Sequence, residues 1–210
     1  MKMCKGFSLI EMAIALAIIG FMVGQVLAKL PGFIHYQKTK QTKERIEIIK
    51  ESLYGYILLS TNNKFPCPDI DEDGQQDLNV DEECEQEQGY LPWAVLGVGK
   101  YDAWGNPFNY AMDKDYINIL RTTPYIFQKY EIKNSFDEVA TEPLLFYAVI
   151  WSDGQQNNNT PDELENRNND NVFVHTSYVD NSFDDIVVGI SRYNVIYKLL
   201  KTRNLPNNKL

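Results

Sequence analysis

Histidine is almost missing from this chain. His35 and His175 are its two copies, which leaves little room for an imidazole-based catalytic site. No Gly-x-Ser-x-Gly, no phosphate-cradling glycine loop and no His-Glu-x-x-His occurs, so the nucleophile-elbow, P-loop and zincin chemistries have no sequence support. Positive charge is in deficit: 20 Lys+Arg stand against 29 Asp+Glu, a net charge of −9. A uniformly acidic chain is a poor polyanion binder, so no nucleic-acid partner is expected. Cysteine is scarce, with Cys4, Cys67 and Cys84 only. There is no internal repeat. At 210 residues, 44% hydrophobic and 23% charged, the composition excludes a disordered or collagen-like chain and bounds one or two compact domains.

What the chain does have is a long apolar run at its start. From Met12 to Ala28 no residue is charged, and Phe7–Leu30 is interrupted only by Glu11 and Lys29. About 20 helical residues cross a bilayer core, so the run is long enough to span. Three readings compete: a secretory signal peptide with Val26-Leu27-Ala28 as its cleavage site, a plain anchor, and a prepilin. Glu11 discriminates among them. An ionisable group inside a membrane segment costs roughly 2.5–3.5 kcal/mol at mid-depth on insertion scales and calls for a partner. A signal peptide has no use for one.

The stretch Gly6-Phe7-Ser8-Leu9-Ile10-Glu11, after a short leader with Lys2 and Lys5, resembles the type III signal of type IV pilins and type II secretion pseudopilins. The resemblance implies that a prepilin peptidase cuts between Gly6 and Phe7 on the cytoplasmic side and that the new N-terminus, Phe7, is methylated. It also implies that Glu11 pairs with the N-terminal amine of a neighbouring subunit during assembly. Physics agrees, because a carboxylate and an ammonium in lipid neutralise each other only when brought together, and wrong registers are penalised. The implied partners are other pilin or pseudopilin subunits, the prepilin peptidase and an inner-membrane assembly platform. The implied location is the inner membrane, single-pass, with the C-terminal domain periplasmic, and then the filament. Phe65-Pro66-Cys67-Pro68-Asp69, Leu91-Pro92-Trp93, Asp102-Ala103-Trp104-Gly105-Asn106-Pro107 and Asp184-Asp185-Ile186-Val187-Val188 are similar to segments of minor prepilin-type subunits, although the same residues are sound turn signals in any fold. The alternative is a secreted calcium-binding or carbohydrate-active domain released by signal peptidase after Ala28.

Charge flanking the apolar run points the other way. Lys29, Lys38, Lys40, Lys43 and Arg45 outnumber Lys2 and Lys5, which by itself favours a cytoplasmic C-terminus. The cysteines argue against it. Removing residues 1–6 takes Cys4 away and leaves an even pair, Cys67 and Cys84, which in an exported domain reads as a disulfide. Closing a loop of that size is worth on the order of 3 kcal/mol in the chain-entropy model.

The expected organisation is a leader over 1–6, a membrane-spanning half-helix over 7–30, an amphipathic half over 31–60 and a β-rich domain over 61–210. Pro31-Gly32 predicts a bend. Ile46, Ile49, Leu53 and Tyr56 or Ile57 recur at helical spacing and predict an apolar stripe on the domain. Pro107–Met112 and Tyr116–Arg121 predict a hairpin, Leu144–Trp151 one central strand, Asn171–Ser177 and Asp184–Ser191 two more, and Arg192–Arg203 a short helix. Asn157–Asn171 reads as a loop. The fold class is therefore α+β and pilin-like: a long N-terminal helix packed on an antiparallel sheet with long loops. Trp93, Trp104 and Trp151 read as core. Gly20 and Gly24, four apart, allow close helix approach. Long loops, more than a minimal subunit needs, point to a minor subunit.

Asp69-Ile70-Asp71-Glu72-Asp73-Gly74-Gln75-Gln76-Asp77 is the sharpest site. Asp69, Asp71, Asp73 and Asp77 stand at positions 1, 3, 5 and 9 of a calcium loop, Gly74 at 6 and the Gln75 carbonyl at 7. Hard Ca²⁺ takes six to eight oxygens, and the glycine permits the turn that aims alternate side chains inward. Position 12 is Val80, so the bidentate glutamate is missing, with Asp81, Glu82 or Glu83 as substitutes. The competing reading is a solvated acidic loop tied by a disulfide. A second acidic region, Asp153, Asp162, Glu163, Asp170, Asp180, Asp184 and Asp185, resembles the calcium-binding C-terminal loops of major pseudopilins. It has no regular spacing and reads as a surface loop.

Overall fold

The computed structural model describes residues 8–61, 63–114, 129–135, 144–155 and 160–201. The chain divides into two compact units, Met1–Lys40 and Gln41–Leu210.

Helix α1 spans Leu9–Leu59, with Pro31 inside it, so the helical assignment runs unbroken through the expected bend. Its first turn is closed by a capping box: Ser8 Oγ accepts from Ile10 N–H at 3.2 Å, and Glu11 Oε2 accepts from Ser8 N–H at 2.9 Å. Each satisfies a donor that the helix cannot. In the first unit the apolar side chains are out in the open. Leu9 is 92% exposed and Phe21 70%, and Ile14, Leu16 and Met22 are each more than half exposed. The most apolar stretch is long enough to cross a membrane, and none of it is buried within the chain. A helix apolar all round needs apolar surroundings, which here are not supplied by its own unit.

In the second unit the same helix behaves differently. Ile46, Ile49, Leu53, Tyr54 and Ile57 form the expected stripe and are buried in the main core. The remaining elements follow in order: β1 Gln88–Tyr90, α2 Trp93–Leu96, β2 Asn109–Met112, β3 Tyr130–Lys133, β4 Leu144–Phe146, β5 Ala148–Ser152, α3 Pro161–Glu165, β6 Val172–Val174, β7 Ile186–Ile190 and α4 Arg192–Lys201. Among the described residues, β1, β2, β5 and β7 pair in that order as an antiparallel sheet, with Ile150 opposite Tyr110 on one side and Val188 on the other. A smaller sheet runs β4-β3-β6, with β3 and β6 parallel.

Both faces of the main sheet are covered. Ala148 and Ile150 of β5 point into the core shared with α1 and α4, and Val149 and Trp151 into a second core with Tyr130 and Phe173. Burial on both faces explains why Leu144–Trp151 is apolar without alternation. It also corrects the single central strand: the run is two strands of different sheets, β4 and β5, which meet at the buried Tyr147. Trp151 is core as expected, and Trp93 and Trp104 are partly buried against the main core. The expected strand Tyr116–Arg121 lies outside the described residues.

Two turns show how the loops are held. Asp102 is buried, and its Oδ1 accepts from the backbone N–H of Trp104, Gly105 and Asn106 at 2.8–2.9 Å while Oδ2 accepts from Ser152 Oγ at 2.6 Å. Both oxygens of that carboxylate accept hydrogen bonds. In the stretch Asn157–Asn171, expected to be a loop, Thr160-Pro161-Asp162-Glu163 starts α3 instead. Proline at the first helical position and acids in the first turn suit a helix N-terminus; the surrounding asparagines masked that signal.

Candidate functional site

Two regions carry chemistry. The first is the N-terminal segment. Gly6 and Phe7, the expected cleavage and methylation point, lie outside the described residues. Glu11 is exposed on the first turn of α1, where its carboxylate accepts from the backbone N–H of Ser8. Ser8-x-x-Glu11 is a capping-box spacing that the sequence reading passed over, because Glu11 was weighed only as a membrane charge.

The second region is the loop between Cys67 and Cys84. These two cysteines form a disulfide, with Cα atoms 5.2 Å apart. Inside it Asp69, Asp71 and Asp77 each bring one carboxylate oxygen to within 4.8 Å of the others. Asp73 is not one of the gathered three; its Oδ1 accepts from Gln75 N–H at 2.7 Å. Val80 is 99% exposed, and Asn79 Oδ1 caps the N–H groups of Asp81 and Glu83, so that acidic turn is closed on itself. The loop's backbone is fixed to the domain. Asp69 exchanges both backbone hydrogen bonds with Tyr90 of β1, and Asp77 N–H donates to Pro68 O at 3.1 Å. Gly74, at φ +91°, lies against the Trp93 indole, where a Cβ would come within 2.5 Å of the ring. The left-handed backbone favours glycine there, and any β-carbon would require the indole to shift.

Asp69 is fully buried. Its Oδ2 accepts from Gly74 N–H at 2.7 Å, whereas Oδ1 is buried with no hydrogen-bond partner. Burial pushes its carboxyl up from the usual range, backbone N–H groups of Gly74 and Glu72 pull it down, and the charges of Asp73 and Asp71 push it up again. Lys100 pairs with Glu72 at 3.2 Å. Among the described residues no ion pair reaches Asp69, Asp71, Asp73 or Asp77.

A second gathering was not anticipated. Glu163, Asp184 and Asp185 are buried and also bring one carboxylate oxygen each within 4.8 Å, which corrects the reading of this region as surface loop. Here a cation is built in. Arg167 reaches Asp185 at 3.3 Å, Asp153 at 3.5 Å and Glu163 at 3.8 Å. Asn166 Nδ2 donates to Asp185 Oδ2 at 2.8 Å and ties the group to Val174 of β6. The Glu163–Arg167 spacing was the available signal. His175 is exposed just beyond β6.

No curated protein and no solved structure matches the chain. Residues 1–24 match the family described as the prokaryotic N-terminal methylation motif. That motif runs straight into an exposed apolar helix, and an α+β layout follows it; the N-terminal segment thereby supports the likeness to type IV pilins and pseudopilins.

Proposed function

We propose that the chain is a minor subunit of a type II secretion pseudopilus or a type IV pilus, a structural protein without catalytic activity. In this reading a prepilin peptidase cleaves between Gly6 and Phe7, Phe7 is N-methylated, and Phe7–Leu30 holds the subunit in the inner membrane with residues 61–210 in the periplasm. The assembly platform then lifts subunits out of the bilayer, and head-to-tail contacts that do not close generate a helical filament. The observation that carries the reading is the methylation motif joined to a helix whose large apolar side chains are exposed and need cover. Other copies of such helices provide that cover in a filament, and lipid provides it before.

Glu11 supplies the register. In the isolated subunit it caps its own helix through Ser8 N–H. In the filament it exchanges that cap for a neighbour's N-terminal ammonium, a pairing of two opposite charges in a medium of low dielectric. The Cys67–Cys84 disulfide favours an oxidising compartment for the domain. Mass spectrometry of the mature N-terminus of the membrane-associated protein is the test. A methylated Phe7 is the expected result. A chain beginning at Lys29 would mean a secreted module and would overturn the filament reading.

A further inference from the structure

Other buried carboxylates in this domain sit among donors or beside a cation: Asp102 accepts four hydrogen bonds, Asp185 faces Asn166 and Arg167, and Glu163 lies 3.8 Å from Arg167. Asp69 is fully buried, with one oxygen committed to Gly74 N–H and the other without a hydrogen bond, and no salt bridge among the described residues reaches it. A buried ionised oxygen left open costs more than any surface contact of the loop returns. The chain has not filled the position with a Lys, Arg or amide. It has placed two further carboxylates there, those of Asp71 and Asp77, within 4.8 Å. Three negative groups drawn together around an unpartnered oxygen repel each other unless a cation lies among them.

We propose that the loop Asp69–Asp77 is a calcium site, with Asp69 Oδ1, Asp71 and Asp77 as its carboxylate ligands. All the donors are oxygens and no His or thiolate is present, which suits a hard cation and not zinc. Three carboxylates in one short loop, with the domain side closed by Gly74 and Trp93, suit the larger and geometrically tolerant Ca²⁺ over Mg²⁺, which keeps most of its waters. The frame is rigid before the ion arrives. Cys67–Cys84 closes the segment, Asp69 is laddered to β1, and Asp77 N–H is bonded to Pro68 O. Because Asp73 lies outside the gathered three and no glutamate stands at Val80, water completes the sphere. Affinity then falls in the weak range of extracellular modules, Kd about 10⁻⁴–10⁻³ M. The inference is independent of filament assembly.

The test uses the full chain in detergent micelles, stripped with chelator and titrated with calcium by calorimetry and thermal denaturation. One calcium per chain and a rise in Tm are expected. Asp71→Asn should weaken binding by about tenfold or more, because it removes a ligand charge. Asp71 is exposed, so the metal-free variant should keep the wild-type Tm and circular dichroism. Terbium should replace calcium and luminesce on tryptophan excitation, since the Trp93 ring lies against Gly74 of the loop. No Tm rise at about 10 mM calcium overturns the proposal. So does an undiminished response in both Asp71→Asn and Asp77→Asn, or a response lost in Glu163→Gln but kept in Asp71→Asn.

Discussion

Two sets of three carboxylates in one domain meet the same repulsion in opposite ways. Glu163, Asp184 and Asp185 are all buried, and Arg167 and Asn166 stand among them. Asp69 is buried, Asp77 half-buried and Asp71 exposed, and no salt bridge among the described residues reaches them. The inner set has its counter-charge written into the chain and holds α3 to β6 and to the start of β7. The outer set, at the rim and clamped by a disulfide, is open on one side. The difference shows that a gathering of acids says little until its positive partner is found. Where the chain supplies one, the group is structural.

The sharpest way to break this contrast is to remove the internal cation. Arg167→Met keeps the stem's length and discards the charge, leaving Glu163 and Asp185 buried and unpaired. Breaking a buried pair from one side typically costs about 3–5 kcal/mol. Urea unfolding at pH 7 should show a loss of about 4 kcal/mol with m unchanged. A loss under about 1 kcal/mol would mean that the carboxylates are neutral or hydrated and that Arg167 is ornamental.

A comparable effect, on the order of 4 kcal/mol, comes from Asp185 itself. Burial raises its pKa from 3.8 to about 7, with Asn166 and Arg167 pulling down and Asp153 and Glu163 pushing up. Between those two values the folded chain holds a proton that the unfolded chain has released. Its contribution is therefore full below about pH 4 and is lost as pH rises towards 7. Asp185→Asn should flatten that slope while Asn166 keeps an oxygen to donate to. Denaturation midpoints measured from pH 4 to 7 decide it, and identical slopes in wild type and variant would place the titration elsewhere.

How far the sequence foretold these arrangements depends on range. Local signals carried well. The stripe Ile46, Ile49, Leu53 and Ile57 is buried as its spacing requires, and Cys67 and Cys84 are bonded. Of the calcium-loop pattern, Asp69, Asp71 and Asp77 lie together around the turn that Gly74 makes, and Asp73 lies outside that group. Non-local arrangements were hidden. Nothing in Leu144–Trp151 shows that Tyr147 divides two sheets, since both halves are equally apolar. Glu163, Arg167 and Asp185 belong to segments that meet only when α3 lies on β6, and an Asn-rich composition looks the same on a surface as around a buried ion network. Ser8 and Glu11 were close enough to be read as a cap, yet the membrane cost of Glu11 drew the attention.

Each set leans on one left-handed glycine, and these give the smallest and most discriminating test. Gly154, at φ +68°, would place a Cβ 2.6 Å from both the carbonyl oxygen and Cγ of Asp184. Backbone cannot step aside, so Gly154→Ala must displace Asp184 from the inner set and should cost about 2–3 kcal/mol. Gly74, at φ +91°, meets only the indole of Trp93. A side chain on the edge of the core can tilt, so Gly74→Ala should cost less, about 1–2 kcal/mol, most of it the left-handed backbone. The two variants also separate by readout. Gly74→Ala moves a tryptophan and should change fluorescence along with stability, whereas Gly154→Ala should leave Trp93 emission alone and alter the pH slope set by Asp185. If Gly74→Ala costs more than Gly154→Ala, the rim loop is the more rigid of the two, and the distinction between a closed inner set and an open outer one fails.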